Sequence, residues 1–157
     1  MEMLKGENRM LEIDEITGLI IDAAMLIHRD LGPGLLESVY EIVLATYLER
    51  QGLQVETQKR VSFVFQGIEF KDGFRCDLLI EKRVVVELKS VERTAPVHPK
   101  QLLTYLRLMN LQVGLLINFG VATLREGLKR VVNNHVPSAS PRLRVNSFEC
   151  SGMRDEP

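Results

Sequence analysis

Between Gly52 and Val55 the apolar pattern of this chain changes its period, and that change limits the folds open to it. Before it, Ile13, Ile16, Leu19, Ile20, Ala23, Ala24, Ile27 and Leu31 recur at the spacing of one helix face, which predicts a helix from about Ile13 to Asp30. Gly32-Pro33-Gly34 stops it and turns the chain. A second helix is expected from about Leu36 to Gln51, with Val39, Tyr40, Val43, Leu44, Tyr47 and Leu48 apolar and Gly52 as its C-terminal cap. After it, Val55–Gln66, Ile68–Lys71, Phe74–Ile80 and Val84–Leu88 are rich in branched and aromatic residues. Gly67, Asp72-Gly73 and Glu81-Lys82-Arg83 separate them as turns, the pattern of an antiparallel meander.

A third helix is predicted over Pro99–Met109, with proline in its first turn. Val113–Asn118 reads as a buried strand and Thr123–Asn133 as a last helix. Pro137–Pro157 is rich in Pro, Ser, Arg and acidic residues and is expected to be a disordered tail. The expected order is therefore αα-ββββ-α-β-α, a mixed α/β domain over residues 1–136.

At 157 residues and 45% apolar composition, one domain with a real core is expected. Basic and acidic residues nearly cancel, 20 against 21, so any binding to nucleic acid must use a local patch rather than a whole-protein field. Arg75, Arg93, Lys100 and Arg107 are the candidates for meeting phosphates. Cys76 and Cys150 have no metal-ligand partners nearby and read as two reduced thiols of a cytoplasmic protein. No apolar run approaches the ~20 residues that cross a bilayer, so no membrane association is expected. Gly-rich phosphate loops, paired CxxC motifs and nucleophile elbows are absent.

What remains is a cluster of chemistry between residues 77 and 105. Asp77 is followed by Glu87-Leu88-Lys89 and then by Gln101 and Tyr105. Side chains alternate along a strand, so Glu87 and Lys89 share a face. A three-residue loop at Glu81–Arg83 sets Asp77 opposite Glu87, on the same face; a two-residue loop would separate them unless a bulge intervened. That register puts Cys76, Leu78, Ile80, Val84, Val86 and Leu88 on one face and Arg75, Asp77, Leu79, Val85, Glu87 and Lys89 on the other.

Two carboxylates so placed suit Mg²⁺ or Mn²⁺, hard ions that prefer oxygen ligands, with the Leu88 carbonyl as a further donor. Lys89 would orient water or stabilise charge on a phosphoryl group. The plainer reading is a solvated hairpin with an ion-pair cluster. Against it, Val84-Val85-Val86-Glu87-Leu88 is a buried type of run, where a charge needs a partner or a metal. Gln101 and Tyr105 lie four apart on one helix face, able to line such a site or to form an ordinary polar face.

Asp77, Glu87-x-Lys89 and Gln101-x-x-x-Tyr105 resemble the PD-(D/E)XK nuclease superfamily, the last element being typical of its RecB-type branch. Gly34-Leu-Leu-Glu37-Ser-Val-Tyr40 resembles the motif that names the GxxExxY family of small bacterial proteins, generally placed in that superfamily. The similarity extends through His28-Arg29-Asp30-Leu31-Gly32-Pro33-Gly34 and Leu115-Leu-Ile-Asn118-Phe-Gly120. Cys76 stands where the superfamily's name has proline. The resemblance implies a restriction-endonuclease-like core, a mixed β-sheet flanked by helices.

It further implies a metal-dependent nuclease, acting on DNA, with Asp77 and Glu87 as metal ligands and Lys89 as the catalytic lysine. Glu37, or else His28, would complete the metal site, and Tyr40 and Arg75 would join Gln101 and Tyr105 around the substrate. The plainer reading has Tyr40 in the core, Glu37 capping the first turn of its helix and His28 as a structural histidine. His98 is a helix cap or a further site residue. The alternative is a non-catalytic nucleic-acid-binding or accessory protein on the same fold; a homo-oligomer is compatible with either.

Overall fold

The computed structural model describes residues 9–134; the tail expected from Pro137 onward, with Cys150, lies outside them. Two helices open the chain, α1 (Ile13–Leu31) and α2 (Glu37–Arg50). Strands β1 (Val55–Phe65), β2 (Ile68–Ile80) and β3 (Val84–Lys89) follow, then α3 (Val97–Met109), β4 (Val113–Asn118), a short α4 (Leu124–Gly127) and β5 (Leu128–Val132). The five strands form one mixed sheet in the order β1-β2-β3-β4-β5. All neighbours run antiparallel except β3 and β4, which are parallel and joined through α3, as a crossover requires.

Helices cover both faces of this sheet. Ile16, Ile20 and Ile27 of α1 and Tyr40, Leu44 and Leu48 of α2 pack on Leu78, Ile80, Val84, Val86, Leu88, Leu115 and Ile117. Leu102 and Leu106 of α3 close the opposite face on Cys76, Leu79, Val85, Leu116 and Val131. β3 and β4 are therefore buried from both sides, which is why Val84–Leu88 and Val113–Asn118 read as nearly continuous apolar runs rather than alternating ones.

Two expectations from sequence are corrected. Asp72-Gly73 does not end a strand; β2 runs through it to Ile80. The hairpin turn is at Gln66-Gly67, both with positive φ, and closes the pair Phe65↔Ile68. Between Val61↔Phe74 and Phe63↔Phe70, β2 has three residues where β1 has one, so Asp72-Gly73 is absorbed as a bulge. The Phe63 ring lies where a Cβ on residue 73 would be, 2.3 Å from its nearest atom, so glycine is what lets the bulge fold against it.

The second correction is the last helix. Only Leu124–Gly127 is helical, and Leu128–Val132 instead pairs antiparallel with β4. The free edge of buried β4 offers a row of backbone donors and acceptors that need partners, and Val131-Val132 is branched and suited to a strand. Gly127 marks the transition, packed so closely that a Cβ would fall 2.3 Å from the Asn118 carbonyl oxygen.

Asn118, 1% exposed, ends β4 and ties down the loop that follows β3. Its Oδ1 accepts from Val91 N–H at 3.1 Å and Gly120 N–H at 3.0 Å, and its Nδ2 donates to the Val91 carbonyl at 2.8 Å. Asn118→Ala would leave three part-buried backbone groups without their side-chain partner. The expected loss is about 2–4 kcal/mol of stability, read as a lowered midpoint in urea denaturation; an unchanged midpoint would show that the clamp contributes nothing.

Candidate functional site

β2 and β3 are joined by Glu81-Lys82-Arg83, a three-residue loop flanked by the pair Ile80↔Val84. The ladder continues through Leu79↔Val85 and Leu78↔Val86 and then stops. The next residues in register are Asp77 and Glu87, and there the side chains take over from the backbone. The Asp77 N–H donates to Glu87 Oε1 at 3.1 Å, and the Leu88 N–H donates to Asp77 Oδ2 at 2.9 Å. Each carboxylate thus accepts from the main chain of the opposite strand, and the two acids lie together at the fork. The placement follows from the loop length argued above.

Glu87 is 8% exposed. Burial, and then the neighbouring Asp77 carboxylate, push its pKa from the ordinary 4.5 up to about 8, and Lys89 only partly offsets them. Cys76, beside both acids, is raised to about 12 by burial and then by the charges of Glu87 and Asp77. Its thiol is unsuited to nucleophilic chemistry.

Tyr105 stands against the same cluster from α3. Burial, then Glu87, Asp77 and Cys76, raise its pKa, and its ring stacks on Phe74 with centroids 4.3 Å apart. Gln101 is exposed one helical turn earlier. His98 acts at the start of α3, where its Nδ1 accepts from the Ala95 N–H at 3.1 Å.

Asp77 also breaks the ladder on its other side. β1 and β2 pair at Thr57↔Leu78 and at Lys59↔Cys76, but Gln58 and Asp77 between them do not pair. The interruption changes the phase of β2. Cys76, expected on the face of Leu78, packs instead with Leu79 and Val85 under α3. Arg75, expected beside Lys89, is correspondingly displaced: its charge acts on Glu41 of α2, while that of Lys89 acts on Glu87.

The helical contributions differ from expectation. Tyr40 is 0% exposed, and its ring stacks on Phe119 at 4.3 Å. Its hydroxyl donates to the Gly32 carbonyl at 2.6 Å and accepts from Leu35 N–H at 3.2 Å, so it holds the Gly32–Leu35 turn and has no surface to offer a substrate. His28 is buried, and its Nε2 donates to the Val121 carbonyl at 2.9 Å, which can only accept; this ties the ring to the loop after β4 and leaves Nδ1 as its one nitrogen with a lone pair.

Glu37 is exposed at the start of α2 and lines a groove of about 700 Å³ with Leu35, Ser38, Ser90 and Glu92. The acid that α2 brings to Asp77 is Glu41, one turn on. Gln58 Nε2 donates to Glu41 Oε2 at 2.6 Å and to Asp77 Oδ1 at 3.3 Å, bridging the two. Burial and the Asp77 charge raise the Glu41 pKa, although Gln58 and Arg75 work against them. The sequence signal for Glu41 was its i+4 relation to Glu37 on one helix face; Gln58 had none.

Among the described residues, no three His, Cys, Asp or Glu side chains stand close enough together to form a ready metal cage. The sequence model of the PD-(D/E)XK nuclease superfamily matches residues 14–131. Neither the curated proteins nor the solved structures yield a match.

The raised pKa of Glu87 sets a pH dependence for the metal-free protein. The folded state holds a proton that the unfolded chain has lost above pH 4.5, so this contribution is present below 4.5 and disappears as pH rises through about 8. Stability should fall across that window, and Glu87→Gln should flatten the profile. Thermal unfolding in a chelator from pH 5 to 9 reads this directly; a wild-type profile as flat as the variant's would contradict it. In the same native protein Cys76 should resist iodoacetamide at pH 8, checked by peptide mapping.

Proposed function

Because the chain belongs to the PD-(D/E)XK nuclease superfamily, we propose that it is a Mg²⁺- or Mn²⁺-dependent nuclease that hydrolyses phosphodiester bonds, with DNA as its substrate. The observation that carries this reading is the pair of acids at the fork of β2 and β3, linked through each other's main chain with Lys89 beside them. Within the superfamily, the Gly34–Tyr40 and Gln101–Tyr105 motifs favour the GxxExxY proteins and the RecB-type branch.

The donor set suits such an ion. Asp77 and Glu87 offer oxygen only, the Leu88 carbonyl is a further oxygen at the same fork, and Glu41 would have to draw in from the far side of the Gln58 amide to join them. Two acids held together with one pKa raised to about 8 form a buried like-charge pair that a divalent cation would neutralise. When bound, the ion would polarise the phosphoryl oxygens and lower the pKa of a coordinated water.

The protein's own groups do the rest. Lys89, on the strand face of Glu87, holds the attacking water and stabilises the negative charge that grows on the phosphoryl oxygens. Tyr105, fixed by Phe74, and the exposed Gln101 hold the phosphate in line. Glu41 fills the role expected of Glu37 or His28, since α2 directs it toward Asp77. Glu37, on the neighbouring groove, is then left to meet substrate or water. Arg75 supplies positive charge on the Glu41 side of the cluster.

Cleavage of single- and double-stranded DNA and of RNA should be assayed with Mg²⁺ and with Mn²⁺. Asp77→Ala and Lys89→Ala should each lower the rate by roughly 100-fold or more. Glu41→Gln should cost more than Glu37→Gln. Activity surviving both Asp77→Ala and Lys89→Ala would sink the site, and binding without turnover in either metal would favour the accessory role.

A further inference from the structure

We propose that Gln58 is a positioning residue for the acid cluster: its side-chain amide stands in for a cation between Glu41 and Asp77 and withdraws when a divalent ion enters. This rests on the metal-site reading above and adds to it a residue outside the acid and lysine set.

Three observations carry it. First, Gln58 has φ 49 in the interior of a strand, a left-handed conformation that a residue with a side chain seldom adopts. Ordinary strand geometry would have let it pair with Asp77, as Thr57 and Lys59 pair with Leu78 and Cys76 on either side. The fold gives up a ladder pair there. Second, the amide Nε2 donates at once to Glu41 Oε2 at 2.6 Å and Asp77 Oδ1 at 3.3 Å. Those carboxylates come from different elements, α2 and β2, and among the described residues no other hydrogen bond joins the two. Third, both acceptors are carboxylates, so the donor between them occupies the place a bridging cation would take.

The chemistry of an amide suits this task. Its NH₂ carries two donors, enough for two carboxylates, but no formal charge. A lysine there would neutralise the cluster and compete with the ion. The amide holds the acids in place while leaving their negative charge to attract a cation. Entry of the ion must break two hydrogen bonds to charged acceptors, which lowers affinity. Removing the amide should therefore tighten metal binding while weakening the empty site.

The test is Mn²⁺ titration by calorimetry, with thermal unfolding in chelator and in saturating Mn²⁺. The proteins are the wild type, Asp77→Ala, Gln58→Met and Gln58→Gly, the glycine variant removing the amide without strain at positive φ. Both Gln58 variants are expected to bind Mn²⁺ more tightly, by roughly tenfold, with the Mn²⁺-induced rise in unfolding temperature enlarged. Affinity within twofold of wild type, with chelated and loaded proteins destabilised alike, would show a structural role only. Weaker binding would make Gln58 a ligand and overturn the proposal. A wild type whose Mn²⁺ binding is absent, or unchanged in Asp77→Ala, would instead overturn the metal site itself and the role of Gln58 with it.

Discussion

Where β2 and β3 part, two main-chain N–H groups lose their ladder partners, and the carboxylates of Asp77 and Glu87 accept them. An unmet N–H in a buried strand is costly, and so is a buried carboxylate. Here each meets the other's need. The exchange fixes both acids to within a hydrogen bond of the opposite strand and determines where every other polar group of the site can stand. Lys89 follows because it shares a strand face with Glu87, and Tyr105 because α3 covers that face.

The surrounding fold keeps this fork open yet rigid. β3 is held on its other edge by parallel β4 along its whole length, from Val84↔Val113 to Lys89↔Asn118. Asn118 then locks the chain just beyond Lys89. Asp77 lies where two ladders are interrupted, toward β1 and toward β3, so β2 can change phase there. Cys76 consequently fills the core under α3 while Leu78 fills the one under α1 and α2. The break that frees Asp77 for chemistry is thus also a packing feature.

Much of this was legible in residues alone. α1 and α2 announced themselves by a helical period bounded by Gly32-Pro33-Gly34 and Gly52, and β3 and β4 by apolar runs too short for helices. The Glu81–Arg83 loop length was enough to set the register from Ile80↔Val84 to Leu78↔Val86, which brings Asp77 and Glu87 next to each other where the ladder ends. The misreadings share one cause. Asp72-Gly73 carries turn chemistry, but the turn had already been made at Gln66-Gly67 and the extra residues could bulge. Thr123–Asn133 carries helical spacing, but β4 had an edge to fill. Local signals lost in both places to pairing with a neighbouring strand, which the composition of the segment itself does not show.

The site divides along the same line. The sequence by itself determined which residue types were present, that Glu87 and Lys89 share a face and that Asp77 can face them, because strand alternation and loop length are local rules. Only the tertiary structure decided which helical group reaches the acids. The Nε2 of His28 and the hydroxyl of Tyr40 are taken up by the Val121 and Gly32 carbonyls, and Glu37 turns to a groove. Glu41 meets Asp77 through Gln58. That choice depends on the docking angle of α2 and on a left-handed residue in β1, and neither leaves a periodic trace in the chain.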